Sequence, residues 1–206
     1  MDVFAWIEEA DKNLFSFIHY DASFEGIDWL MLGMREAFTW IPLYAFMLFW
    51  ILKYHRRYAW QFILLTICTF AITDFTSASV FKPMLSRLRP CYDPDLQSII
   101  RNLVGCGGQN SMPSSHAANH FGLATFWFLS IQRMTQRNWH WLWLWAFMIG
   151  YAQIYVGKHY PLDIMLGAFL GVLVGLITGK FFEEWLFYPK DSSTVQVPDL
   201  QLNRES

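Results

Sequence analysis

Charge is what this chain lacks most: Asp, Glu, Lys and Arg make up only 16% of its 206 residues. Soluble domains carry about 25%, so the shortage argues against an ordinary water-soluble fold, and 54% of the residues are hydrophobic. The apolar residues fall in long blocks, and a block of about 18 or more reads as a membrane-spanning helix. A secretory leader is also missing. The chain opens Met1-Asp2-Val3-Phe4 with neither a basic stretch nor a small-residue cleavage site, so the first span is expected to do the targeting. Basic residues are absent from the first 28 positions except for Lys12, against seven acidic residues. Such a segment has no reason to stay on the cytoplasmic side. The formal net charge of −2 is uninformative because the charges are segregated, and no nucleic-acid partner is expected.

What is present predicts an all-α integral membrane helical bundle, with about five transmembrane helices and an N-terminal interfacial helix over residues 1–20. Val3, Ile7, Ala10, Leu14 and Phe17 form one stripe, with Glu8, Glu9, Lys12 and Asn13 elsewhere. That is helical periodicity in a segment too polar to span, which fits a helix lying on a membrane surface. An ordinary packing helix fits the pattern equally well. Spans are expected at about 30–52, 58–81, 117–131, 142–156 and 162–187, together forming a membrane domain over 1–189. The polar tail 190–206 is aperiodic and expected to be disordered. Linker 53–57 holds Lys53, Arg56 and Arg57, and the linker after the third span holds Arg133 and Arg137. The positive-inside rule makes their shared side cytoplasmic, so connections 82–116 and 157–161 open on the outer face.

Nearly all the reactive side chains fall in those two connections. Lys82 and Arg89 are seven apart, and on a continuous helix they lie about 20° apart. They can clamp a phosphate or simply snorkel to lipid headgroups. Ser114 is placed to cap the next helix, and free N–H groups at a helix start attract anions, with His116 in that first turn. Pro161 suits the first turn of the last helix, which puts Asp163 four residues after His159, where a carboxylate orients an imidazole.

The three motifs, K-x-x-x-x-x-x-R-P at 82–90, P-S-x-H at 113–116 and H-Y-P-x-D at 159–163, resemble those of the type-2 phosphatidic acid phosphatase superfamily. The match runs from about residue 81 to 175, in the family's order. It implies a metal-independent and cofactor-free hydrolase acting on a lipid phosphate or diphosphate, in a membrane bundle with an extracytoplasmic site. By position, His159 becomes the nucleophile forming a phosphohistidine, Asp163 its orienting partner and His116 the general acid. Lys82, Arg89, Ser114 and Ser115 become phosphate ligands. A bacterial cytoplasmic (inner) membrane is the expected location, with membrane lipids as surroundings. Phosphatidic acid, phosphatidylglycerol phosphate, a polyprenyl diphosphate and a lipid A phosphate all suit such a site.

Two departures stand out. Ala152-Gln153 replaces the family's Ser-Arg, so Gln153 occupies the place of a phosphate-binding cation; Lys158 can substitute only if the helix breaks at Gly157. Ser115 replaces a glycine. Gln153 leaves open a non-catalytic lipid-phosphate binder, and His116, His120, His159 and Asp163 leave open a metal-dependent hydrolase. Outside the cytoplasm Cys91 and Cys106 are expected to form a disulfide closing the outer loop. Asp74, a carboxylate inside a span, is a functional-site suspect for which a structural pairing with Lys82 or Arg89 is an equal alternative, and His120 is expected to be a satisfied core histidine. Gly167, Gly171, Gly175 and Gly179 read as a close-packing helix face, and Trp139, Trp141, Trp143 and Trp145 as an interfacial belt.

Overall fold

The computed structural model describes residues 2–187, so the expected tail at 190–206 lies outside the described residues. The helices are α1 (Val3–Ser16), α2 (Glu25–Arg35), α3 (Ile41–Tyr54), α4 (Ala59–Phe75), α5 (Lys82–Leu85), α6 (Ser115–Thr135), α7 (Trp141–Tyr155) and α8 (Pro161–Phe187). A π-helical stretch, Thr76–Phe81, joins α4 to α5 without a break. Among the described residues three helical stretches are long and apolar enough to cross a membrane: Ala37–Tyr54, Arg56–Leu85 and Pro161–Leu186. The chain is an integral membrane protein with an all-helical fold. α7 has only 15 residues, about 22 Å of helix, and α6 buries polar Asn119, Thr125 and Ser130 among its apolar residues. The count of five spans therefore stays an expectation.

The first expected span does not begin at residue 30. α2 ends at Arg35, Glu36 is extended, and a 3₁₀ turn at Ala37–Trp40 starts a new helical run. α1 is helical as expected, but its apolar stripe does not pack inward. Val3, Leu14 and Phe17 are exposed, while Asp11 and Phe15 are buried. Trp145, expected in an interfacial belt, is a core residue stacked 5.6 Å from Trp127.

The tightest seam in the bundle is between α6 and α8. A Cβ on Gly175 would stand 2.6 Å from the Gly122 carbonyl, and one on Gly171 would overlap the Ala118 carbonyl. The glycine face thus lets two backbones touch within one chain. α4 joins this seam through polar contacts inside the apolar bundle: Thr69 donates to Thr178 at 2.8 Å, and Thr73 to Asn119 at 2.8 Å. Asn119 also donates to Asp74 at 3.0 Å. The hydrogen-bonded partner of Asp74 is therefore this helix-to-helix amide, where a pairing with Lys82 or Arg89 was the structural alternative. Away from the site, Trp50 touches both His55 and Trp139, at 4.6 and 5.0 Å between centroids. The two basic linkers accordingly lie at one end of the bundle.

Candidate active site

At the opposite end the first turns of α6 and α8 stand side by side, joined by Ser114 N donating to the Asp163 carbonyl at 2.9 Å. Ser114 is the N-cap of α6, accepting from Ala117 N at 3.4 Å. Pro161 opens α8 and carries Asp163 in its first turn. Both placements follow from the residue types: a hydroxyl satisfies an orphan N–H at a helix start, and proline has no N–H to leave unsatisfied.

Lys82 and Arg89 do not share a helix face. α5 stops at Leu85, Ser86 adopts a left-handed conformation at φ 47°, and the chain turns back. Residues 87–89 then run antiparallel to 109–111: Ser111 N donates to the Arg87 carbonyl at 2.7 Å, and Arg89 N to the Gln109 carbonyl at 3.0 Å. This return brings Arg89 back beside Lys82, and the two line one cavity of about 390 Å³ with Gly108 and Asn110. The clamp is assembled by a reversal of the chain, where sequence spacing predicted a helix.

His159 is 2% exposed. Its Nδ1 lies 3.4 Å from Asp163 Oδ2 and 3.3 Å from Ser111 Oγ, while Nε2 lies 3.4 Å from Arg89 Nη1. Burial pushes the imidazole down to about 4, with Arg89 and Lys82 adding repulsion against the pull of Asp163. His159 is therefore neutral near pH 7. The hydrogen-bond network assigns its N–H to Nδ1, facing the carboxylate, which leaves the Nε2 lone pair facing the cations. Asp163 itself accepts from Ser111, from Tyr160 N at 2.8 Å and from Arg87 at 3.0 Å. Arg87 reaches across to Asp11 at 2.7 Å, and Asp11 also accepts from Leu162 N at 2.9 Å. The buried acid of α1 is thus wired to the start of α8.

His116, one turn above His120, lies within electrostatic reach of His159 and Lys82. Ser115 Oγ accepts from the Ser77 hydroxyl at 2.9 Å. His120 contacts the His116 carbonyl through Nδ1 at 2.7 Å, the satisfied state expected of it. Among the described residues no three His, Cys, Asp or Glu side chains gather as a metal-binding group. The four residues considered as zinc ligands do not fit that role. Gln153 is buried with Nε2 unpartnered. The break at Gly157 is there, with φ 82°, but Lys158 does not reach into the vacant arginine position. Its Nζ donates to the Gly105 carbonyl and, at 2.8 Å, to that of Cys106. Burial, then repulsion from Arg89 and Arg35, lowers it to about 8. Cys91 and Cys106 come together with Cα atoms 6.0 Å apart.

Sequence reasoning missed Arg87, Ser111 and Asp11. Arg87 was available as an unexplained cation within the 82–90 motif. Ser111 and Asp11 offer no local signal, because their partners are 52 and 76 positions away.

Comparison with known proteins identifies the family and the fold. The family model described as "PAP2 superfamily" matches residues 62–186. The lipid A 4'-phosphatase of Bacteroides thetaiotaomicron is 33% identical over 78% of this chain and 68% of its own. The crystal structure of Aquifex aeolicus LpxE superposes with a TM-score of 0.60 at 25% identity, covering 82% of this chain and 93% of that one. The transmembrane PAP2-type phosphatidylglycerolphosphate phosphatase of Bacillus subtilis matches with a TM-score of 0.69 at 20% identity, over 88% and 89% of the two chains. With its three motifs gathered at one end of an all-helical bundle, this chain belongs to the PAP2 superfamily.

Proposed function

We propose that the chain is a metal-independent phosphatase that hydrolyses a lipid phosphate or diphosphate monoester through a phosphohistidine, at the extracytoplasmic face of a bacterial inner membrane. The observation that carries this reading is the polarity of His159: Nδ1 is held by Asp163 and Ser111, and Nε2 is left toward Arg89. A neutral imidazole held in that tautomer is an activated nucleophile. Burial, then the neighbouring histidines and cations, push His116 down to about 3, so it takes up its proton only as the phosphate dianion binds beside it and favours the imidazolium. His159 Nε2 then attacks phosphorus as the P–O bond to the leaving group breaks, and His116 gives that proton to the departing oxygen. Water then attacks the phosphohistidine, losing a proton to His116. The products are inorganic phosphate and the lipid with one phosphoryl group fewer: the alcohol from a monophosphate, the monophosphate from a diphosphate. Lys82, Arg89, Ser114 and the backbone at Ser115 hold the phosphate oxygens, because phosphoryl transfer depends mainly on positioning and charge neutralisation. A disulfide between Cys91 and Cys106 closes the loop above them. An apolar cleft of about 440 Å³ between α3 and α4, reaching Leu123 and Trp127 of α6, suits an acyl chain.

The lipid A phosphate named for the Bacteroides relative leads the test panel, followed by a polyprenyl diphosphate, phosphatidic acid and phosphatidylglycerol phosphate. Purified protein in detergent is expected to release phosphate from at least one of them in the presence of EDTA. Binding of these lipids without release would leave a phosphate-lipid binder, the reading Gln153 favours; release abolished by EDTA would point to a metal. Reporter fusions after Arg57 and Arg137 should report cytoplasm and one near Leu96 should not. A cytoplasmic signal at Leu96 would overturn the assigned face.

A further inference from the structure

Gln153 stands where the family pattern implies an arginine, and Lys158 is occupied at the loop carbonyls. That leaves the anion site one cation short of the family pattern, while the structure holds another cation nearby. Arg35 ends α2, and its side chain is only 16% exposed. α2 packs on the same stretch of α7 that contains Gln153: Met31 clusters with Ala152, Tyr155 and Val156. Past Arg35, Trp40 turns back to donate to the Met34 carbonyl at 2.8 Å and packs 5.8 Å from Trp145. Trp145 lies 5.1 Å from His120, one turn below His116. The break between α2 and the first span leaves Arg35 within electrostatic reach of His116 at the start of α6.

Two further observations indicate a ligand. Among the described residues, Arg35 Nε and Gln153 Nε2 are both buried donors without an acceptor, a condition native proteins rarely leave unanswered. Among the described residues the carboxylate bonded to Arg35 is that of its neighbour Glu36, at 3.1 Å through Nη1, and Glu36 is itself largely exposed. Arg35 also contributes, after burial, to the downward push on Arg89 and Lys158. Cations that repel one another in a buried site become mutually stabilised when an anion enters.

We infer that Arg35 is the displaced phosphate ligand of this enzyme: its guanidinium, entering from α2, binds a non-bridging phosphate oxygen together with the Gln153 amide, in place of the arginine that the family pattern implies at position 153. This rests on the phosphatase reading for its role in turnover but not for anion binding. The test therefore has two arms, orthovanadate affinity and phosphate release from the best lipid of the panel.

Arg35→Gln is expected to weaken vanadate binding about a hundredfold and to lower kcat/KM by a similar factor, the usual effect of removing one such donor. Arg35→Lys, which keeps the charge but loses the fork, should fall between. Gln153→Arg added to Arg35→Gln should recover tenfold or more, whereas added to the wild-type chain it should bring no gain. Elution profile and melting temperature of each variant should match the wild type. Vanadate affinity within threefold of wild type in Arg35→Gln overturns the assignment, whether or not the wild type turns over lipid. So does a double variant no better than Arg35→Gln. Loss of lipid turnover with unchanged vanadate affinity also overturns it, since Arg35 would then read another part of the lipid. If the wild type binds vanadate but releases no phosphate, the catalytic reading fails while the affinity series still decides on Arg35.

Discussion

His159→Ala is expected to lower phosphate release by roughly 10⁴-fold or more, the scale of losing a covalent nucleophile, and to abolish any acid-labile phosphoenzyme. Rapid-quench labelling with a radiolabelled lipid phosphate reads both. The residue has no evident structural replacement, because its Nε2 is the one imidazole nitrogen directed at Arg89. Asp163→Asn should keep the bundle but lose about 10⁴ in kcat, since an amide no longer fixes the Nδ1–H tautomer. His116→Ala should be milder on a nitrophenyl phosphate than on a lipid, because nitrophenolate leaves without a proton. Near-normal turnover in His159→Ala, with loss in His120→Ala, would overturn the assignment and return attention to a metal.

The second large effect is expected at Arg87. Its two nitrogens hold Asp11 at 2.7 Å and Asp163 at 3.0 Å, carboxylates only 2% and 0% exposed as side chains. Arg87→Met keeps much of the volume but leaves two buried carboxylates without their shared cation. Removing one partner of a buried pair costs about 3–5 kcal/mol, so the melting temperature should drop sharply and turnover should fall at least a hundredfold. Adding Asp11→Asn removes one of the two stranded charges. The double variant should regain stability well beyond additivity while recovering little activity, because Asp163 still lacks its orienting cation. An unchanged melting temperature in Arg87→Met would show that the bridge does not support the fold.

The sequence was most legible where function and local geometry coincide. Ser114 as a helix cap, Pro161 as a helix start and Asp163 four residues after His159 all depend on neighbours in the chain. The pairing of Lys82 with Arg89 was legible as a result but not as a path. A seven-residue spacing fits one helix face, yet Ser86 turns left-handed and the same two cations meet through a chain reversal. Arg87, Ser111 and Asp11 stayed hidden because their partners are set by how helices dock. α1 shows the same limit: its apolar stripe was plain, but the buried residue that anchors it is an acid. Apolar patterning could not separate α2 from the following span either, because the break lies at Glu36, a single extended residue with no glycine or proline beside it.

The glycine seam between α6 and α8 has a bearing on how the enzyme ages and adapts. His116 begins one of these helices and Asp163 the other, and their separation is set by main-chain contact along the seam and by the bond from Ser114 N to the Asp163 carbonyl. Main-chain contact has no rotamers to vary, so the spacing of His116 and Asp163 does not depend on the side chains that drift at the lipid-facing surface.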